Sequence, residues 1–75
     1  MTLREFFEEI DVALLDREPH IREGQFVFNY IYKHYGVARD VMEYDGVDCY
    51  YKDSEIIKFI NCAYRRIENN ENTNK

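Results

Sequence analysis

Seventy-five residues with a net charge of −5 set narrow limits. A chain of this length makes one domain, buries roughly 60% of its unfolded surface and gains only a few kcal/mol of stability. An acidic chain gains nothing from counterion release on a phosphate backbone, so its charge argues against nucleic acid and membrane surfaces and for a partner protein with a basic surface.

In chain order, Leu3, Phe6, Phe7, Ile10, Ala13 and Leu14 recur at spacings of three and four, which is one face of a helix. Thr2 with Glu5 three residues on reads as a capping box, and Pro19 sets an end near Asp16. The second helix is expected from about Arg22 to Tyr35, with Gly36 as its left-handed cap. Val27, Phe28, Ile31 and Tyr35 form its stripe, and Phe26, Tyr30 and Tyr32 widen that stripe almost all round, which marks it as the most central helix. Gly24, near its start, lets another backbone approach closely or simply eases the turn.

The segment 37–43 is short enough for one or two helical turns. Asp45-Gly46 signals a turn, after which Val47–Tyr51 reads as an ordered loop, since a lone strand would have nothing to pair with. Asp53-Ser54 supplies the last N-cap, and Ile56, Phe59, Ile60, Ala63, Tyr64 and Ile67 give a helical stripe to about Glu68. The fold class is therefore all-α: a small bundle of three main helices with a short extra helical segment and an ordered acidic loop. Residues 1–68 make the single domain, and residues 69–75, polar and low in complexity, make a disordered tail.

Two segments carry polar residues inside bulky apolar runs: Arg22–Tyr30 holds Gln25 and Asn29, and Asp48–Phe59 holds Asp48 and Asp53. Gln25 and Asn29 lie one helical turn apart and point the same way. Buried amides must be paired, so Gln25, Asn29 and Asp53 are expected to fasten the 45–53 loop to the second helix, with Asp48 in an Asx turn. On that reading Asn29→Ala costs about 1–3 kcal/mol.

Catalytic and metal chemistry find no spacing here. An EF-hand register with Gly46 at its sixth position puts apolar residues where acids belong. His20 and His34 read as surface residues, and Cys49 and Cys62 show no zinc or nucleophile pattern. No cofactor, no metal and no enzymatic activity are expected, and the first apolar run is too broken by acids to be a membrane span. Two thiols without motif spacing suit a reducing cytoplasm.

Residues 40–55 carry six acids against the one Lys52. Glu43, Tyr44, Asp45, Asp48, Tyr50 and Tyr51 are accordingly the candidate partner-binding surface, where acids around aromatics suit Arg and Lys on a partner. Two other readings stand beside it: a nucleic-acid-binding module using Lys33, Arg39, Lys58, Arg65 and Arg66, and a homo-oligomer formed through the surplus aromatics of the second helix.

The pattern Arg22-x-Gly24-Gln25-x-x-Phe28-Asn29, followed by Asp48-x-Tyr50-Tyr51-x-Asp53-x-x-Ile56-x-x-Phe59, resembles a widespread set of small uncharacterised proteins of bacteria and phages. Their matching segments read R-x-G-Q-x-x-F-N and D-P-F-Y-x-D-x-x-I-x-x-F. This chain departs from them with Cys49 in place of Pro and Tyr50 in place of Phe. The resemblance implies a setting in the bacterial cytoplasm, with a phage or prophage source, and a pairing of Gln25 and Asn29 with the Asp48–Asp53 loop. It implies no mechanism.

Overall fold

The first helix, α1 (Leu3–Leu14), starts where its capping box does: Glu5 N–H donates to Thr2 Oγ1 at 3.1 Å and Thr2 N–H donates to Glu5 Oε1 at 2.7 Å. Phe6 and Ile10, one turn apart, are fully buried. The helix ends two residues before the expected Asp16. The amides of Leu15, Asp16 and Arg17 bond three residues back instead of four, the tightening that closes many helices. The Arg17 guanidinium then donates to the Ile21 carbonyl and braces the connection around Pro19.

The computed structural model describes residues 1–73, with side chains to residue 70. Its second helix, α2 (Glu23–Tyr35), touches every other helical element, as a central helix should. Gly36 closes it at φ 72, and its amide donates to the Ile31 and Tyr32 carbonyls. That left-handed backbone is the conformation in which a side chain would be strained.

The short segment, expected to make one or two turns, is the two-turn helix α3 (Ala38–Tyr44), so the described residues form four α-helices. Gly46 (φ 69) turns the chain, and Val47 and Cys49 then point into the core from an extended stretch that pairs with no strand. A 3₁₀ turn, Asp53–Glu55, leads into α4 (Ile56–Thr73). This helix passes its expected end at Glu68 because no Gly or Pro interrupts 56–73. Residues 69–73, expected in the disordered tail, are thus helical; Asn74 and Lys75 lie outside the described residues. No β-strand occurs among the described residues, and none of their helices is long and apolar enough to cross a membrane.

Phe6, Ile10, Val27, Ile31, Val41 and Phe59 form the centre of one core shared by all four helices. At its edge Glu9 ties α1 to α2. Tyr30 donates to Glu9 Oε2 at 2.6 Å, and Tyr35 donates to both carboxylate oxygens at 2.7 Å. Burial first, and the Glu9 carboxylate second, push Tyr30 up to about 12 and raise Tyr35 further. A phenol whose pKa rises on folding contributes stability that is complete below its ordinary value of 10.0 and lost as pH climbs through about 12. Glu9→Gln is therefore expected to lower the tyrosine titration midpoint and flatten the alkaline loss of melting temperature. An unchanged ultraviolet titration of the tyrosines would contradict the shared carboxylate.

Candidate functional site

The two polar segments meet where the 48–53 loop crosses the first turn of α2. Gly24 is the point of contact. A Cβ placed there would lie 2.0 Å from the Cys49 carbonyl oxygen and 2.7 Å from Asp53 Oδ1. Only a residue without a side chain lets the loop backbone come this close. The choice between close approach and an eased turn thus resolves to close approach, and Gly24 is fully enclosed.

Several groups in the first turn of α2 and just before it bond to the loop. Gly24 N–H donates to Asp53 Oδ1 at 3.0 Å, so this carboxylate caps α2. That is the fastening role expected of Asp53, and it takes the place of the N-cap role expected at the start of the last helix. Its own helix begins with a 3₁₀ turn and has no side-chain cap bond, while the open amides at the start of α2 attract a negative acceptor from 29 residues away. The Arg22 guanidinium donates to the carbonyls of Tyr50 and Tyr51. Cys49 Sγ donates to the Gly24 carbonyl at 3.3 Å. Gln25 Nε2 donates to the Tyr50 hydroxyl at 3.2 Å, and Tyr50 N–H donates to Asp48 Oδ1 at 2.8 Å, closing the Asx turn expected of Asp48.

Asn29 does not take part. It is exposed, and its side chain makes no hydrogen bond among the described residues. Its side chain turns to the outer face of α2, where it lines a hollow with Ile21, Phe26, Tyr30, Lys33 and His34. What meets the loop instead is Phe28, edge-on to Tyr50 at 5.5 Å and tilted against Phe59 at 5.6 Å. The fastening residue that the polar pattern did not single out is Arg22. Its signal was a lone cation directly before the helix, opposite a loop whose carbonyls have no sheet to join.

The six candidate partner-binding residues fall into two groups. Asp48, Tyr50 and Tyr51 belong to the fastened loop. Tyr50 is half-buried, whereas Tyr51 is 71% exposed and rests edge-on against Tyr50 at 4.8 Å. Glu43, Tyr44 and Asp45 belong to the end of α3 and are engaged there with cations. Glu43 pairs with Arg39 at 3.4 Å. Asp45 forms a two-point bridge with Arg66, at 2.9 and 3.0 Å, and Arg66 lies over the Tyr44 ring at 5.6 Å. The hydrogen bonds from Arg66 hold the Asp45 carboxyl below its usual range.

The five basic residues considered for nucleic acid are also divided. Lys58, Arg65 and Arg66 line one groove beside α3, Lys33 lines a separate apolar hollow on the outer face of α2, and Arg39 is taken by Glu43.

Burial, with Asp48 adding to it, pushes the Cys49 thiol up to about 12, which keeps it protonated and unreactive. His34 packs at a tilt against Tyr30, with ring centroids 4.4 Å apart, and His20 lies by Glu18 at 3.4 Å, both on the surface. No group of three or more His, Cys, Asp or Glu is placed to hold a metal among the described residues. No family model, curated protein or solved structure matches this chain.

Proposed function

We propose that this protein is a small non-catalytic interaction module that docks on a partner protein through the fastened loop, with Tyr51 as the anchor and Asp48 and Tyr50 beside it. The observation that carries the reading is the combination of exposure and rigidity at Tyr51. A largely exposed aromatic is costly to leave in water, and tyrosine is enriched at interface centres. Here the backbone on either side is held by Arg22, Asp48 and Asp53, so little conformational freedom is lost when the ring is buried by a partner.

The chain's charge of −5 supports a partner with a basic surface. Because Asp45 and Glu43 already hold arginines, the loop end is a better anchor than the end of α3. The resemblance to bacterial and phage proteins supports the bacterial cytoplasm as the place to look.

Tyr51→Ala tests this directly. The side chain's contact with Tyr50 is worth about 0.5–1.5 kcal/mol at most, so the variant should stay folded by circular dichroism. Tagged wild type should retain a stoichiometric protein from bacterial lysate that Tyr51→Ala loses. Equal retention by both would remove Tyr51, and with it the loop end, as the docking site. Asp45→Lys is a poor probe of docking, since it also breaks the Arg66 bridge.

A further inference from the structure

A groove of about 560 Å³ runs between the end of α3 and the outer face of α4. Its walls carry Lys58, Arg65 and Arg66 against one carboxylate, Asp45, with Cys62 on its floor. On a chain of net charge −5, this is a local reversal of sign. Arg66 is not available to a ligand as a free charge, because Asp45 grips it at two points and Asp40 also faces it. Lys58 makes no hydrogen bond or ion pair among the described residues, and Arg65 contacts only the Cys62 sulfur, at 3.7 Å. Among the described residues the groove therefore presents two cations outside any ion pair, with the Asp45 carboxylate near enough to Arg65 to feel its charge.

Their spacing decides what they fit. Positions 58 and 65 are two turns apart, about 10 Å along the helix axis, with Cys62 between them. Two long flexible side chains at that separation can close on one multiply charged group from opposite sides, and a lone carboxylate would leave one of them unmatched. Lysine as a point charge and arginine as a planar fork are the usual phosphate-binding pair. The volume lies in the range of small-molecule sites, and Tyr44, 75% exposed at the rim with Arg66 across its ring, offers a flat surface next to the charges. We propose that this groove binds a phosphate-bearing ligand of about nucleotide size, with Lys58 and Arg65 on the phosphates. The proposal is independent of docking through Tyr51.

The test is a backbone amide NMR titration of the full chain at low salt with three probes: inorganic tripolyphosphate, adenosine triphosphate and a short single-stranded oligonucleotide. Saturable shifts centred on Tyr44, Lys58, Cys62 and Arg65 are expected. In Lys58→Gln/Arg65→Gln, whose changes are both at exposed positions, affinity should fall at least about tenfold with unchanged circular dichroism. Stronger binding of the nucleotide than of tripolyphosphate would place a base at Tyr44 and equal binding would assign the site to phosphate alone, and both support the proposal; strongest binding of the oligonucleotide would overturn it in favour of a polymer. Absence of saturable shifts with every probe overturns the proposal. So do shifts spread equally over Arg22, Lys33 and Arg39, or binding that survives in the double variant.

Discussion

Gly24→Ala is expected to cost about 3 kcal/mol or more, enough to leave most of so small a domain unfolded. The new methyl would occupy a point 2.0 Å from the Cys49 carbonyl oxygen, which is backbone and has no rotamer to escape into. Relief requires the loop to lift from α2. Lifting it exposes Val47 and Cys49, breaks the bonds from Arg22, and takes the Asp53 carboxylate away from the Gly24 amide. Each of these losses is ordinary in size, but the geometry makes them occur together. Urea denaturation monitored by far-ultraviolet circular dichroism gives the value. A loss under about 1 kcal/mol would mean the loop yields without cost, and the close approach would not be the reason for glycine.

Asp53→Ala is the second large effect, about 1–2 kcal/mol. It removes a charged acceptor at the start of α2, the situation in which N-cap deletions are most costly. The contrast is Asn29→Ala, one turn along the same helix. Exposed and with its side chain unbonded, Asn29 is expected to change stability by no more than about 0.5 kcal/mol. Thermal melts of the two variants side by side check the assignment of fastening to Asp53 and not to Asn29. Comparable losses would reverse it.

The helices were legible because their signals are local. Thr2 and Glu5 bond as their spacing predicts, Gly36 sits at positive φ, and the buried residues Phe6, Ile10, Phe59 and Ala63 fall on the expected stripes. The meeting of the two polar segments was legible as well, since polar residues inside apolar runs need partners. Which residue reached which partner was not. Asp53 carried two expected roles, cap of the helix that follows it and fastener of the loop, and only the tertiary packing decides for the second by bringing it within 3.0 Å of the Gly24 amide. Gln25 and Asn29 lie one turn apart by periodicity, but periodicity does not say that the first meets the loop and the second an outer hollow of α2. The pairing of Asp45 with Arg66 was hidden for the same reason. Residues 21 apart in sequence meet because α3 and α4 pack, and that contact turns an expected acidic surface into one rim of a basic groove.

The central claim is that the loop and the first turn of α2 form one unit, closed by Asp53 on the Gly24 amide. Amide hydrogen exchange at Gly24 tests it most directly, because a first-turn helix amide has no partner within its own helix. Gly24 is expected to be protected in the wild type and to lose that protection in Asp53→Ala while Ile31, in the body of α2, keeps its own. A Gly24 amide that exchanges freely in the wild type, or stays protected without Asp53, would contradict it.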